Sequence, residues 1–377
     1  MVVHLDKKQK LLLITFDFPP VSGGIAKYLH VLSNMLFERG YDIKVLTNYA
    51  AFSREYDKQS PFKVVRVNKS KALWLFFLLY YFAKYKPNTL IIGHFFIVNA
   101  ISIMFFSKFF RMKTILISHG NDINTRINVL LPLRRYLLNR FDYIVANSSY
   151  TKNRIYECSN RQDVQVIYPP VYIEKSDDLR PDASLDVMHN SKINGKIIIL
   201  TICRLVKIKN ITSVLHSIKD LISQGRNVLY CIVGEGPDLH DLKSEAKRIG
   251  IEDRVVFIGN VPHDLVWRYY SAADIFVQPS INIDLEQESF GMTYVEASLF
   301  NVPVIAGQSG AVNEVVINNE TGIVVDGKNM NDLTRAMEKI IDNNQFRERI
   351  TKNAYARAIT IFSAKAQIDK MVDLIEK

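Results

Sequence analysis

The sequence predicts an α/β protein of two domains, each built on a parallel β-sheet. The chain has 377 residues, more than one ordinary hydrophobic core accommodates. Two series of apolar strands alternating with helical stretches are separated by a polar segment at residues 172–194, which predicts a linker. We therefore expect an N-terminal domain at 1–190, a C-terminal domain at 195–360 and a final helix at 361–377 that could pack back on the first domain.

The N-terminal domain is predicted to open with a βαβ unit. Residues 10–16 form an apolar strand, 26–39 a helix and 41–47 the second strand. The loop after the first strand carries Gly23-Gly24, and paired glycines let backbone approach a ligand closely at a helix start. A tight turn without a ligand is the alternative. The loop lacks the GxGxxG pattern, and Asn48 stands where a dehydrogenase would carry a carboxylate, so NAD chemistry is disfavoured.

Further strands are predicted at 89–93, 114–118, 143–146 and 164–171. His119 directly follows the second of these, beside a glycine, at the sheet edge where ligands of α/β proteins bind. It is either a site residue or a structural histidine.

Two apolar runs, at residues 72–83 and 95–106, are too short to cross a bilayer, which needs about 20 apolar residues. We expect both to be helices packed on the N-terminal sheet. The alternative is a partly exposed aromatic face at a membrane interface, because cations flank both runs. These cations are Lys69, Lys71, Lys84, Lys86, Lys108, Arg111 and Lys113.

Charge is concentrated in the first part of the chain. Residues 1–150 contain 21 Lys and Arg against 8 Asp and Glu, a net charge of +13, whereas residues 191–377 contain 22 against 23. These basic residues either form a solvated surface or attract an anionic partner. Such a partner would be a membrane leaflet or a phosphorylated acceptor. No nucleic-acid-binding module is recognisable. The three cysteines lack CxxC spacing and residues 1–10 lack a secretory apolar region, so we expect a cytoplasmic protein.

The C-terminal domain begins a second series, with strands at 196–201, 227–233 and 255–259. Arg204 and Lys209 follow the first strand, before a helix predicted at 211–223. Two fixed cations at the carboxyl end of a strand suit a diphosphate, and two solvated surface charges are the alternative. A Gly234-Glu235-Gly236 sequence, itself a weak signal, follows the second strand.

Glu288 and Glu296 lie eight positions apart, around the start of a helix predicted at 292–300. They follow an apolar run at 275–280, closed by Pro and Ser, that predicts a buried parallel strand. Ionised carboxylates accept hydrogen bonds from sugar hydroxyls. The backbone amides of the intervening helix start favour an anion. These amides belong to Ser289, Phe290 and Gly291.

The Glu288-x7-Glu296 pair, preceded by Arg204 and Lys209, resembles the paired-glutamate motif of the family 4 retaining glycosyltransferases of the GT-B fold, also called glycosyl transferases group 1. The resemblance implies two Rossmann-like domains facing across a cleft. It also implies transfer of a hexose, with retention, from a UDP- or GDP-linked sugar to a hydroxyl of a glycan or lipid-linked acceptor. Bacterial surface polysaccharide or lipopolysaccharide synthesis, at the inner face of the membrane, is the expected setting.

The resemblance also implies a role for each motif. Arg204 and Lys209 would hold the leaving phosphate, so no metal or other cofactor is expected, and Glu288 would bind the sugar. In the first domain, the resemblance places His119 beside the transferred sugar and Gly23 and Gly24 in the loop that faces the acceptor and the diphosphate. In the second domain, it places Gly234 and Gly236 near the nucleotide, the Ile258 backbone at the base and Glu296 at the ribose. The helix start contributes Ser289, Phe290 and Gly291. Departures from the family pattern at Ser289, Ala311 and Asn313 leave the choice of sugar open. A GT-B epimerase or phosphorylase, or a non-catalytic nucleotide-sugar-binding protein, is the alternative.

Overall fold

A computed structural model describes residues 9–21, 23–68, 71–95, 107–123, 131–171 and 182–377 of the chain. The chain forms two compact units. The N-terminal unit comprises Met1–Pro170 with Ala364–Lys377, and the C-terminal unit comprises Val171–Ser363.

The N-terminal unit contains a seven-stranded parallel sheet in the order β3-β2-β1-β4-β5-β6-β7. Its strands are β1 Lys10–Ile14, β2 Asp42–Asn48, β3 Lys63–Val67, β4 Thr89–Ile92, β5 Lys113–Ser118, β6 Tyr143–Ala146 and β7 Gln165–Val166. Its described helices are Gly24–Glu38, Ser53–Gln59, Lys71–Tyr85, Leu131–Leu138, Ser149–Ser159 and Ala364–Glu376.

The C-terminal unit contains a six-stranded parallel sheet in the order β10-β9-β8-β11-β12-β13. Its strands are β8 Ile197–Ile202, β9 Val228–Val233, β10 Val255–Gly259, β11 Ile275–Gln278, β12 Val304–Gly307 and β13 Ile323–Val325. Its helices are Ala183–Ile193, Ile211–Ser223, Leu239–Arg248, Val266–Ala272, Met292–Leu299, Val312–Val315, Met330–Asp342 and Asn344–Ile361. The strand order reverses between β8 and β11, and in such sheets ligands bind at that reversal.

The central strands of both sheets are continuous apolar runs because helices cover both faces of a parallel sheet. All six residues of β9 are buried, as are all four of β4. The α/β fold class predicted from the sequence is confirmed.

The structure departs from the predicted elements at several places. Within the predicted linker, Ala183–Ile193 is a helix whose N-cap Asp182 accepts hydrogen bonds from the next turn, while 172–181 lie outside the described residues. Of the strand predicted at 164–171, Gln165–Val166 pairs within the sheet, and Val171 forms an isolated bridge with Ser363. Edge strand β3 was not predicted. Most of the run at 95–106 lies outside the described residues, and among the described helices none combines the length and apolarity needed to cross a membrane.

The final helix, Ala364–Glu376, belongs to the N-terminal unit, whereas the preceding helix continues to Ile361, past the predicted boundary. Its buried face contributes four side chains to the core that also contains β1 and β2. They are Ile368, Met371, Leu374 and Ile375. Two hydrogen bonds fix its last turn. Tyr41 donates to Glu376 at 2.7 Å, and Lys113 donates to the carbonyl of Ile375 at 2.7 Å.

Candidate active site

The reversal point of the C-terminal sheet brings together the loops after β8 and β11. Lys209 ends a short turn after β8, and its Nζ lies 2.5 Å from Oε2 of Glu288, in the loop after β11. Both side chains are largely buried. The residues predicted to bind the leaving phosphate and the sugar therefore pair with each other.

The two predicted cations have different environments. Burial opposes the charged form of Lys209, but the Glu288 carboxylate beside it more than compensates, so the pKa of Lys209 is raised. Arg204 is exposed, and no residue of the described parts of the chain forms an ion pair with it. The charge of Lys209 is thus paired with Glu288, whereas Arg204 is exposed and can contact a bound anion.

The Gly234-Glu235-Gly236 loop packs against the segment that carries Arg204. A Cβ on Gly234 would lie 2.0 Å from the carbonyl oxygen of Cys203, and one on Gly236 would lie 2.2 Å from that of Leu205. The Leu205 amide donates to the carbonyl of Glu235 at 2.9 Å. The two glycines are therefore required by close contact between the loops, independently of any ligand.

The backbone of Glu288 is held by the stretch that departs from the family pattern. Its amide donates to the Ser309 hydroxyl at 3.1 Å, and its carbonyl accepts from the Ala311 amide at 2.9 Å. A Cβ on Gly310 would lie 2.1 Å from the Glu288 carbonyl oxygen. Residues 309–311 thus position the loop of Glu288.

The helix Met292–Leu299 begins after Gly291, which has a left-handed φ of 89°, and no side chain caps it. Ser289 is half-buried, whereas the ring of Phe290 is buried and packs edge-to-face on Phe362 at 5.5 Å. The Phe290 side chain is therefore part of the core, and only its backbone could serve the predicted anion site.

Glu296 lies in the second turn of this helix and faces the loop that follows β10. Its Oε2 accepts a hydrogen bond from Tyr270 at 2.8 Å, and its Oε1 lies 3.6 Å from Nε2 of His263. In β10 the pairing register skips Ile258, between Phe257 and Gly259. The Ile258 backbone thus lies at an irregularity of the sheet edge.

The predicted residues of the N-terminal unit lie after β1 and β5. Gly23 and Gly24 are exposed where the first helix begins, two residues earlier than predicted. His119 is buried, and its Nε2–H donates to the carbonyl of Gly93 at 3.0 Å. Burial lowers the pKa of His119 to about 4. A neutral imidazole at neutral pH follows.

Both halves of the chain match known families. Residues 22–175 match the profile of Glycosyltransferase Family 4, and residues 186–357 match that of Glycosyl transferases group 1. The chain belongs to the family 4 glycosyltransferases. This glycosyltransferase has the GT-B fold, with one matched profile for each Rossmann-like region.

Relatives of this glycosyltransferase include enzymes that are named for a GDP-mannose donor. It is 26% identical to the GDP-mannose-dependent alpha-(1-6)-phosphatidylinositol monomannoside mannosyltransferase of Mycolicibacterium smegmatis, over 88% of this chain and 89% of that protein. It is 28% identical to the alpha-monoglucosyldiacylglycerol synthase of Streptococcus pneumoniae, over 54% and 46%. Among solved structures, Anabaena HepE in complex with UDP and glucose has a TM-score of 0.81 at 18% identity, covering 98% of this chain and 100% of that one.

The sequence analysis missed residues in both units. Gln278 ends the apolar strand β11 and contacts Glu288, and a buried amide at the end of an apolar strand is a signal that could have been used. In the N-terminal unit, Asp17 and His94 form a pair at 3.3 Å. Within the described residues, no group of three or more His, Cys, Asp and Glu side chains could hold a metal ion.

Proposed function

We propose that this glycosyltransferase moves a hexose from a UDP- or GDP-linked donor to a hydroxyl of a glycan or lipid-linked acceptor, with retention at the anomeric carbon. The observation that carries the proposal is the Lys209–Glu288 pair at the strand reversal, with exposed Arg204 beside it along the chain. Cations suit the diphosphate, and a carboxylate suits the sugar hydroxyls. The names of the GDP-mannose-dependent relatives support a nucleotide-sugar donor.

In the proposed reaction, the acceptor hydroxyl forms a bond to the anomeric carbon on the face from which the phosphate leaves. The bond from that carbon to the phosphate oxygen breaks, and a phosphate oxygen takes the acceptor's proton. Arg204 and Lys209 stabilise the negative charge that develops on the phosphate. Glu288 positions the sugar. We assign Gly23, Gly24 and His119 to the acceptor-side unit.

An assay of nucleoside diphosphate release tests this function directly. Each candidate UDP- and GDP-hexose is incubated with the protein and acceptor, and the anomeric configuration of the product is read by NMR. We expect release that depends on the acceptor, and a product with the donor's configuration. Tight donor binding without turnover would instead favour a non-catalytic binding protein, and an inverted product would exclude the proposed chemistry.

We further propose that turnover needs no divalent metal, because Arg204 and Lys209 supply the positive charge at the phosphate. Activity should therefore survive EDTA within a factor of about two. The comparison is the same enzyme with added magnesium or manganese. Complete loss on chelation, reversed by either metal, would contradict this.

The two glutamates should have separable roles. Glu288→Gln should lower turnover more than affinity for the free nucleoside diphosphate, because its carboxylate meets the sugar. Glu296→Gln should lower affinity for that product, because we assign its carboxylate to the ribose. Turnover and calorimetric affinity measure the split, with Glu286→Gln, at an exposed glutamate of the same loop, as control. The opposite pattern would mean that the roles are exchanged.

A lipid-linked acceptor is supported by the names of the relatives and by the surface of the N-terminal unit. Several relatives are named for acceptors built on phosphatidylinositol or diacylglycerol. The helix Lys71–Tyr85 exposes Phe76, and Phe109, further along the chain, is 74% exposed. The ring of Phe110, next to Phe109, lies 6.2 Å from Phe82 of that helix, so the two regions adjoin. Aromatic side chains among cations suit a membrane interface, and we propose peripheral binding at an anionic inner leaflet during bacterial envelope glycan synthesis.

Replacing Lys84, Lys108 and Arg111 with glutamate should weaken binding to anionic liposomes by ~100-fold, since each cation contributes about 1 kcal/mol. All three are exposed. Sedimentation with phosphatidylglycerol vesicles measures this, and binding should also fall with salt. The matched control reverses three exposed lysines of the C-terminal unit, Lys247, Lys328 and Lys352.

Binding that is absent at low salt, or indifferent to lipid charge, would indicate a soluble acceptor. Of the other flanking cations, Lys113 is unsuited to this test because it donates to the carbonyl of Ile375. Lys69 lies outside the described residues, as does the side chain of Lys71.

A further inference from the structure

The carboxylate of Glu288 is held through one of its two oxygens. Three donors converge on Oε2, which are Lys209 Nζ at 2.5 Å, Ser280 Oγ at 3.0 Å and Gln278 Nε2 at 3.1 Å. No donor from the described residues reaches Oε1. One oxygen is thus saturated by the protein, and the other is available to a substrate hydroxyl.

Gln278 is itself fixed on every side. It is fully buried at the end of β11, and its Oε1 accepts a hydrogen bond from the Thr293 hydroxyl at 3.2 Å. Its backbone carbonyl accepts from Tyr294 at 2.8 Å. Only the NH₂ side of the amide can face a carboxylate, so the charge of Glu288 determines the amide's orientation. Burying this amide costs free energy that the contact with Glu288 offsets.

Lys209 has two anionic partners in the proposed reaction, Glu288 and the phosphate. It neutralises Glu288 through the ion pair, and in the proposed reaction it must also stabilise the phosphate. A buried carboxylate that loses its cation is costly unless other donors remain. Gln278 and Ser280 are those donors, and both are neutral, so neither competes for the phosphate.

We propose that Gln278 is a positioning residue that, with Ser280, keeps Glu288 Oε2 fixed while Lys209 turns to the phosphate, so that Oε1 alone meets the transferred sugar. This rests on the proposed function, since it deepens the assignment of Glu288. Gln278 need not touch the substrate.

The test is Gln278→Leu, assayed for kcat, for KM of the donor and for the pH profile of kcat/KM. Loss of a hydrogen bond to a charged group predicts a kcat lower by about 10- to 100-fold, with a smaller change in KM. Ser280→Ala should act in the same direction. The matched control is Tyr230→Phe, which removes a buried 2.7 Å hydrogen bond to Thr201 in the same sheet.

The pH profile separates positioning from a general structural defect. Gln278 donates to the charged form of the carboxylate and stabilises it, so the acid limb of kcat/KM should move to higher pH in Gln278→Leu. The other titratable groups facing Glu288 are Cys203, Lys209 and Tyr294. Burial raises the pKa of Cys203 to about 12 and raises that of Tyr294, while the pKa of Lys209 is raised by Glu288, so none titrates on the acid side.

Gln278→Glu provides a second variant if leucine is not tolerated. Two carboxyl groups about 3 Å apart share one proton, so the acid limb should move further than in Gln278→Leu. A kcat within twofold of Tyr230→Phe together with an unmoved acid limb would overturn the proposal. Absence of wild-type turnover with every donor would instead overturn the proposed function, so the two failures are distinguishable.

Discussion

Lys209→Ala should lower kcat by about 10²–10³-fold, the usual cost of losing one electrostatic donor at a developing negative charge. The structure adds a second consequence. Lys209 is the cation paired with the buried carboxylate of Glu288 at 2.5 Å, so its removal leaves that charge with only neutral donors, Gln278 and Ser280. Breaking a buried pair from one side costs about 3–5 kcal/mol of stability. Nucleoside diphosphate release and denaturant unfolding should therefore both report a loss.

Arg204→Ala should have the catalytic effect without the effect on stability. Arg204 is exposed and has no ion-pair partner among the described residues, so its truncation leaves no buried charge behind. The matched control is Lys207→Ala, at an exposed lysine in the same turn as Lys209, which should change neither quantity. Near-wild-type turnover in both Arg204→Ala and Lys209→Ala would remove these residues from the phosphate site.

The parts of the fold with strong local signals could be predicted from sequence. The helix predicted at 211–223 is observed as Ile211–Ser223, because its apolar spacing marks one buried face. Strand β3 was missed because it lies at the sheet edge, where Lys63 and Arg66 interrupt the apolar pattern. The apolar residues of the helix Ala183–Ile193 do not gather on one face, so the helical periodicity that would distinguish it from a linker is weak.

The sequence predicted the residues of the candidate site but not the contacts between them. The order of the motifs along the chain assigned Lys209 to the leaving phosphate and Glu288 to the sugar. Their ion pair joins positions 79 residues apart, and only the sheet order, which places β8 beside β11, brings them together. Gln278 was overlooked because its contact with Glu288 depends on the loop after β11 folding back onto the end of that strand.

Ending the chain after Ser363 should unfold the N-terminal unit while leaving the C-terminal unit folded. The removed helix buries Ile368, Met371, Leu374 and Ile375 in the N-terminal core. At about 1.5–3 kcal/mol for each side chain, their loss matches the whole stability of a typical domain, about 5–15 kcal/mol. A milder variant, Met371→Ala, should cost about 2–5 kcal/mol through the cavity it creates.

The two tryptophans of the chain allow each unit to be followed separately, because Trp74 lies in the N-terminal unit and Trp267 in the C-terminal unit. In a Trp267→Phe background, the fluorescence of Trp74 should report earlier unfolding in Met371→Ala. In a Trp74→Phe background, Trp267 should report an unchanged transition. Asp373→Ala, at an exposed position of the same helix, is the control and should leave both transitions in place. If Met371→Ala destabilised only the unit that contains Trp267, the helix would belong to the other core.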